Sequence, residues 1–159
     1  MRAHAIGDFE DLAAMWADPL VVRHISGTPS SRQASWMRLL RYGGLWPLLG
    51  FGYWALEEKT TGRFLGDVGF ADFKREMEPS IAGVPEVGWV LASEARGKGF
   101  ATEAVRAALA WGERHFESRR TVCIIAPENA ASIRVAEKCG YREVVRTTIG
   151  GEPTILFER

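Results

Sequence analysis

Residues 86–104, EVGWVLASEARGKGFATEA, decide the fold, because a β-rich run, a glycine loop and the start of a helix follow one another here. Gly97 and Gly99 let the backbone bend so that successive N–H groups converge at the helix N-terminus, where roughly half a positive charge resides. Arg96 and Lys98 add local cations. The stretch predicts a binding loop for a pyrophosphate. A plain strand-to-helix turn with two solvated basic residues is the simpler alternative.

Two common phosphate-binding motifs do not match this loop. A nucleotide-triphosphatase P-loop needs Gly-Lys followed by Ser or Thr, but here Lys98 precedes Gly99 and Phe100 follows it. A dinucleotide fingerprint needs a third glycine where this chain has Thr102, and no β-α-β unit precedes the loop. The sequence therefore argues against both nucleotide-binding interpretations.

Helix and hairpin signals precede the loop. Apolar spacing and capping residues predict a first helix that is capped by Asp8 and stopped by Asp18-Pro19. A second helix is capped by Ser30 or Ser31 and ended by Gly43-Gly44. Two β-rich runs then predict an antiparallel hairpin of strands 51–57 and 64–70. A polar, proline-containing loop over 74–85 then leads into strand 86–91 and is a candidate frame for a substrate. Only Met1 to Ile6 precede the first capped helix, which leaves room for a stunted first strand.

Strand and helix alternate after the glycine loop. The pattern predicts a helix over about 99–116, a strand at 121–126, a helix at 130–139, and a last hairpin of strands 141–147 and 154–157 around residues 149–153. Gly140 stands where the end of a helix needs a positive φ. No repeat or linker divides the chain. We therefore predict one domain over residues 1–159, of mixed α+β class.

Composition excludes several classes of partner. Twenty Lys plus Arg balance twenty Asp plus Glu, so no long-range field favours nucleic acid or an anionic membrane. The two cysteines, Cys123 and Cys139, lie in apolar or helical runs, which is typical of buried thiols in a reducing compartment. With no leader pattern, no apolar run of bilayer length and no metal-ligand spacing, we predict a cytoplasmic protein without a metal.

The loop resembles the acetyl-coenzyme A loop of the GNAT N-acetyltransferases. In that pattern Gln or Arg is followed by any two residues, then Gly, then any one residue, then Gly or Ala. Arg96, Gly99 and Ala101 match this pattern. Residues 129–132 and 137–141 resemble the later helix of the family and the Gly-aromatic entry to its next strand. Further similarities point to the branch of ribosomal-protein alanine and serine N-acetyltransferases; they lie at Asp18-Pro19, Gly27, 54–56, 61–62 and Gly66.

This resemblance implies a fold and a cofactor site. The expected fold is the GNAT acyl-CoA N-acyltransferase fold, a central, mostly antiparallel twisted sheet with splayed central strands and flanking helices. Acetyl-CoA would lie in the gap where the two central strands diverge, paired with main-chain groups of strand 86–91. The residues implied in cofactor binding are Trp89, Val90, Leu91, Arg96, Gly97, Lys98, Gly99, Phe100, Ala101, Thr102 and Asn129. The three strand residues can pack as core while their backbone binds, and Asn129 can cap a helix as well.

Two side chains are candidates for catalysis by this resemblance. Glu86 matches a glutamate that often acts as the general base, commonly through water, although a solvent-facing glutamate at a strand start is the alternative. Ser132 matches a serine of the ribosomal-protein branch and could donate a proton to the thiolate, although it could equally bond its own helix backbone. Many relatives place a tyrosine before the Glu-Lys pair of the later helix, where this chain has Ala136.

The expected reaction is acetyl transfer from acetyl-CoA to a primary amine by direct attack in a ternary complex. A protein N-terminal α-amine is the leading acceptor, and a small amine such as an antibiotic, a polyamine or an amino-acid derivative is the alternative. Four aromatic residues could line the acceptor pocket or simply belong to the core: Trp36, Trp46, Phe51 and Tyr53. A CoA-binding sensor without turnover is a further alternative. The sequence fits a monomer or a homodimer.

Overall fold

The computed structural model describes all 159 residues and has helices on both faces of one six-stranded sheet. The helices are α1 (Phe9–Ala17), α2 (Pro19–Val22), α3 (Arg32–Leu49), α4 (Phe100–His115) and α5 (Ala130–Lys138), with short 3-10 turns at Ile6–Asp8 and Ser93–Ala95. The strands are β1 (Tyr53–Glu57), β2 (Phe64–Ala71), β3 (Glu86–Leu91), β4 (Val122–Ile125), β5 (Arg142–Ile149) and β6 (Glu152–Glu158). The mixed α+β prediction is confirmed.

The strands follow the order β1-β2-β3-β4-β6-β5, and every neighbouring pair is antiparallel except β3 with β4. The parallel pair has a single register position, Glu86 opposite Val122, and the Val122 N–H donates to the Pro85 carbonyl oxygen at 3.1 Å. Beyond that point β3 and β4 diverge. The predicted sheet with splayed central strands is therefore confirmed.

The two faces of the sheet bury separate cores, because side chains along a strand alternate in direction. Val87 of β3 belongs to the core that packs under α4, whereas Val90 packs with the core under α1 and α3. Glu86 and Gly88 share the face of Val90, since they are separated from it by even numbers of residues. The face of α1 and α3 is therefore the one on which Glu86 lies.

The second long helix extends beyond the predicted stop. α3 runs through Gly43 and Gly44 and ends only at Gly50, which has φ of +75°. Trp46 explains the extra turns, because its indole N–H donates to the Tyr53 carbonyl oxygen at 3.1 Å and its ring packs edge-on against Trp54 and Trp111. These tertiary contacts outweigh the weak helix propensity of two glycines. Ser31 caps α3 as expected, accepting from the Ala34 N–H.

The N-terminal segment also differs from expectation. Asp8 precedes α1 but does not cap it with its side chain, because its carboxylate accepts from the Ala5 N–H at 2.7 Å and from the Arg2 guanidinium. The stunted first strand is reduced to one antiparallel bridge between Arg2 and Ala55. Asp18-Pro19 ends α1 and also starts α2, where the Asp18 side chain accepts from the Leu20 N–H.

The last hairpin is longer and tighter than predicted. β5 continues to Ile149 and β6 begins at Glu152, so only Gly150 and Gly151 form the turn. Both glycines have positive φ, +58° and +87°, as a two-residue hairpin turn with the strand twist requires.

None of the helices combines the length and hydropathy that crossing a lipid bilayer requires.

A buried polar cluster lies beneath α1 and α3. Asp67 of β2 is fully buried; its carboxylate lies 3.4 Å from Nε2 of His4 and accepts from the Trp16 indole N–H at 3.4 Å. Burial raises the pKa of Asp67 to about 8, although Trp16 and Arg38 act to lower it. Burial lowers the pKa of His4 to about 4. Both groups are therefore largely uncharged at neutral pH.

Candidate active site

The glycine loop forms the entrance to α4. Gly97 and Gly99 have φ of +75° and +85°, in the left-handed region that favours glycine. Gly99 occupies the N-cap position and has no side chain, so no side chain caps the first N–H groups of α4. The first four N–H groups of a helix have no partner within it. The N-terminus of this 16-residue helix therefore offers backbone donors and a positive dipole end to an anion.

The basic side chains of the loop differ in orientation. Lys98 is exposed. Arg96 is also exposed, but its Nη2 donates to the Leu20 carbonyl oxygen at 2.5 Å, so in this conformation the guanidinium is anchored to α2. Thr102 is half-buried, and its carbonyl oxygen accepts from Sγ of Cys139 at 3.8 Å. In this conformation Arg96 is therefore not free to face the N-terminus of α4, whereas the main-chain donors there are.

One edge of β3 is open. Trp89, Val90 and Leu91 pair with Val68, Asp67 and Gly66 of β2, but they have no register partner on β4. Strand edges carry free N–H and C=O groups that pair readily with an amide-containing ligand. The open edge leads from Glu86 toward the glycine loop, so a long ligand could pair with β3 and reach α4.

The later helix, α5, lies on the other side of the splay. Asn129 caps it, because its side-chain oxygen accepts from the Ser132 N–H at 3.2 Å. Ser132 is half-buried in the first turn of α5. Ala136, where many GNAT enzymes have a tyrosine by resemblance, is fully buried in the core with α4. The structure thus provides a hydroxyl group at Ser132 and none at position 136.

Glu86 is buried and ion-paired, which corrects the solvent-facing alternative. It is only 4% exposed, and Arg75 donates to its carboxylate from Nε at 2.6 Å and from Nη2 at 2.8 Å. Burial acts to lower the pKa of Arg75, but the hydrogen bonds and charge of Glu86 outweigh this, and the net shift of the pKa is upward. Sequence reasoning missed Arg75, because nothing in the loop over 74–85 marks which residue folds back onto β3.

Tyr53 lies over the middle of β3 next to Glu86. A Cβ atom at Gly88 would lie 2.0 Å from the Tyr53 hydroxyl oxygen, so Gly88 is what allows the ring to take this place. The Tyr53 ring stacks on Tyr42 with centroids 4.5 Å apart. Burial raises the pKa of Tyr53, and the charges of Glu86 and Asp67 add to the rise. The tyrosine is therefore un-ionised at neutral pH.

The other aromatic candidates for the acceptor pocket lie elsewhere. Trp46 and Phe51 pack toward α4 through Trp111 and Phe116, and Trp36 packs edge-on against Phe9. Phe51 and Trp36 are half-buried against the two cores, in line with the alternative interpretation, and Trp46 is half-buried between Trp54 and Trp111. No group of three or more His, Cys, Asp or Glu side chains is arranged to hold a metal ion.

Comparison with known proteins agrees with this geometry. The family model described as an acetyltransferase (GNAT) domain matches residues 1–142. The uncharacterized protein YkkB of Bacillus subtilis (strain 168) is 33% identical over 151 residues, covering 91% of this chain and 81% of that protein.

Two solved structures show the same fold. A chain from Bordetella pertussis described as a GNAT-family acetyltransferase has a TM-score of 0.86 at 28% identity, covering 99% of this chain and 93% of that one. The spermidine N-acetyltransferase of Vibrio cholerae, solved with CoA and spermine, has a TM-score of 0.75 at 18% identity, covering 99% and 92%. At 18% identity, the similarity to the Vibrio cholerae enzyme shows a shared fold alone.

The splayed strands, the uncapped helix N-terminus and the family match lead to one conclusion. The chain belongs to the GNAT acetyltransferase family and is an acetyl-CoA-dependent N-acetyltransferase.

Proposed function

We propose that this enzyme acetylates an α-amine, foremost that of a peptide or protein N-terminus, with Glu86 as the general base. The observation that carries the proposal is the position of Glu86 at the one register point where β3 and β4 still pair, beside the open edge of β3. A carboxylate there lies next to the place where an acyl group bound along β3 would react.

The backbone of the loop and of β3 holds the acyl donor in this proposal. The N–H groups of residues 97–102 bind the diphosphate, and the open edge at residues 89–91 pairs with the pantetheine arm. The Asn129 side chain, which already caps α5 through its oxygen, has its amide group left for a further hydrogen bond to that arm. Phe100 and Ala101 contribute backbone donors at the first turn of α4.

The proposed chemistry is a direct transfer with balanced protons. The neutral amine nitrogen forms a bond to the thioester carbonyl carbon, whose oxygen is stabilised by a backbone N–H of β3. Glu86 takes the proton that the nitrogen loses, directly or through water. The carbon–sulfur bond then breaks, and the Ser132 hydroxyl donates a hydrogen bond to the departing thiolate. The thiolate takes up a proton from solvent, and Glu86 releases to solvent the proton that it took from the amine.

Energetics favour an α-amine over a lysine side chain as acceptor. Reference pKa values near 10.4 for lysine and about 7.7–8.0 for an α-amine make neutralisation at pH 7 cost about 4.6 and about 1 kcal/mol respectively. The carboxylate of Glu86 is already held by two hydrogen bonds from Arg75. The other lone pairs of that carboxylate remain available for the proton that the amine loses. The resemblance to the ribosomal-protein branch points the same way.

A small cationic amine is the second candidate acceptor. Glu76 and Glu78 are exposed and line an open depression of about 460 Å³ together with Arg75, Met77 and Ser80. Two carboxylates at the rim would attract a polyamine-like substrate from solution.

A CoA-binding sensor is the third candidate function for this fold. Such a protein would bind the cofactor without releasing thiol.

Thiol release from acetyl-CoA, followed by mass spectrometry of the product, tests the proposal. We expect release with a short peptide that has a free N-terminus, and loss of release when the same peptide is N-terminally blocked but retains a lysine. Release with spermine alone would replace the peptide with the second candidate. Binding of CoA without release for any amine would support the sensor and contradict the proposed function.

A further inference from the structure

We infer that the acceptor site contains an anion subsite, formed by Arg41, Phe73 and Arg75, which binds a carboxylate that the acceptor carries close to its amine. This inference rests on the proposed function and adds the chemistry by which the acceptor is selected. The carboxylate could belong to a free amino acid or to an acidic second residue of a peptide.

The aromatic ring of Phe73 is contacted by both arginines. The guanidinium carbon of Arg75 lies 4.9 Å from the Phe73 ring centroid, and that of Arg41 lies 5.4 Å from the same centroid. These distances are within the range of a cation–π interaction. Arg41 comes from α3 and Arg75 from the loop between β2 and β3, so two separate elements direct their cations to one ring.

The subsite adjoins the proposed base. Arg75 contacts Glu86 directly, and the Phe73 ring lies 6.5 Å from the ring of Tyr53, whose hydroxyl covers Gly88 of β3. An amine that reaches Glu86 therefore places its next substituents against Arg75 and Phe73. A carboxylate attached a few bonds from the amine would lie along the Phe73 ring, where the guanidinium group of Arg41 is available to it.

The positive charge of the subsite is not cancelled within the protein. Arg75 uses Nε and Nη2 for Glu86, and that pair is neutral overall, but its Nη1 has no acidic partner. Arg41 is exposed and forms no ion pair; its guanidinium lies 5.9 Å from the Tyr42 ring. Arg41 therefore supplies a cation that lacks a counter-charge.

Nearby acidic groups do not neutralise Arg41. Asp72 is paired with Lys74, and Glu76 and Glu78 lie exposed on the outer part of the loop. Asp67 is buried under α1 and α3 with its pKa raised to about 8 by that burial, so it carries little charge at pH 7. The inner end of the site is consequently cationic while its outer rim is acidic.

Physical magnitudes make this arrangement selective. Hydrogen bonds to charged groups contribute about 1.5–3 kcal/mol, which corresponds to roughly 10- to 150-fold in kcat/KM. Planar guanidinium groups also match the geometry of a carboxylate. An acceptor with a second amine at this place would instead meet a like charge. We therefore expect carboxylate-bearing α-amines to be preferred over their neutral analogues.

The test compares matched acceptors with wild type, Arg41→Gln and Arg119→Gln. Arg119 is an exposed arginine between α4 and β4, so its variant has the same change in net charge at a remote place. The acceptors are alanine and alaninamide, and the C-terminally amidated peptides Ala-Glu-Phe and Ala-Gln-Phe. We expect Arg41→Gln to lower kcat/KM at least about 10-fold for whichever carboxylate-bearing acceptor is used, and less than about 3-fold for its neutral partner.

The two pairs of acceptors distinguish the source of the carboxylate, since the free amino acid and the acidic peptide are assayed separately. Equal kcat/KM for the acidic and neutral partners in wild type, or equal losses for both in Arg41→Gln, would overturn the inference and leave the proposed function standing. Thiol release with none of these α-amines, although acetyl-CoA binds, would reject the proposed function and the inference together.

Discussion

Glu86 and Arg75 form the residue pair on which the proposed chemistry depends. The carboxylate is 4% exposed and is held by two guanidinium hydrogen bonds of 2.6 and 2.8 Å. A buried carboxylate without its cation would be costly, and the same pairing fixes the direction in which the carboxylate points. Arg75 is thus the positioning residue and Glu86 the proposed base.

Replacing Glu86 by glutamine tests its role in proton transfer. We expect Glu86→Gln to lower kcat about 100-fold, because general bases commonly contribute 10²–10⁴-fold, while the affinity for CoA stays within about 2-fold. Steady-state thiol release and calorimetric titration measure the two quantities. Glu76→Gln, an exposed change in the adjoining loop, is the matched control and should retain the wild-type kcat with α-amine peptides. Unchanged kcat in a folded Glu86→Gln enzyme would remove Glu86 from the mechanism.

We expect replacement of Ser132 to lower kcat less than replacement of Glu86 does, because the thiolate of CoA is a moderately good leaving group. With a reference thiol pKa near 8.5, protonation of the thiolate helps departure without deciding it. We expect Ser132→Ala to lower kcat by about 10-fold or less and to leave α5 intact, since Asn129 caps the backbone N–H of residue 132 and not its hydroxyl. The measurement is kcat with saturating acetyl-CoA, with Ser118→Ala as the control. A kcat equal to wild type would assign Ser132 a structural role only.

At the scale of elements, the glycine loop and α4 work as one unit. The two positive-φ glycines turn the chain so that the uncapped N–H groups of the helix face the same space. This unit could be predicted from the sequence, because glycine spacing and the start of an apolar helical pattern are both local signals. The open edge of β3 followed from the resemblance and is confirmed by its register.

Other elements depend on contacts between residues far apart in sequence. α3 continues past two glycines because Trp46 reaches the Tyr53 carbonyl oxygen, and no local pattern announces that bond. The bond between Arg75 and Glu86 spans a polar loop, and Arg41 meets Phe73 across two elements. Tertiary packing places these groups, so sequence reasoning proposed a base and a cofactor loop but missed the residues that contact them.

A bulky residue at Gly99 tests the loop as an element. We expect Gly99→Val to weaken CoA binding at least about 10-fold, since a β-branched residue resists the φ of +85° and would turn the N–H groups away. Gly150→Val is the matched control, because Gly150 also has a positive φ, +58°, but lies in the β5–β6 turn. Both variants should lose similar stability in thermal unfolding, while only Gly99→Val loses CoA affinity by calorimetry. A Gly99→Val variant that binds CoA with wild-type affinity would contradict the proposal that this loop binds the diphosphate.

At the scale of the whole molecule, the proposed mechanism divides the two substrates between the two faces of the sheet. In that proposal one face and the open edge bind the acyl donor through α4, while the face under α1 and α3 presents Glu86 and the arginines to the acceptor. The buried polar cluster of His4 and Asp67 lies on this second face and ties the N-terminal segment to β2. The prediction of a single domain over residues 1–159 stays a prediction, which a single cooperative unfolding transition would support.

Asp67 predicts how stability depends on pH. A folded-state pKa of about 8, above the unfolded value, means that the folded protein holds the extra proton, so stability falls as pH rises from about 4 to about 8. His4, with its pKa lowered to about 4, acts oppositely but only below about pH 6.5. Between pH 6.5 and 8 the Asp67 effect therefore stands alone, and wild type should lose about 1–2 kcal/mol of unfolding free energy.

Urea unfolding at several pH values measures this effect in Asp67→Asn and in Asp11→Asn, an exposed control on α1. Asp67→Asn should show a clearly flatter profile between pH 6.5 and 8, whereas Asp11→Asn should keep the wild-type slope. Parallel profiles for wild type and Asp67→Asn would mean that Asp67 is ionised in the folded protein throughout this range.

The central claim is that main-chain amides at the start of α4 cradle the diphosphate of acetyl-CoA, and its most direct test observes those amides. In a ¹⁵N–¹H correlation spectrum of the assigned protein titrated with CoA, we predict that the largest shifts fall on residues 97–102, with further shifts on residues 89–91 of β3. Titration with pantetheine, which lacks the diphosphate, should shift the β3 amides and leave residues 97–102 nearly unchanged. Saturable CoA binding that leaves the amides of residues 97–102 unshifted, or no binding at millimolar CoA, would contradict the account.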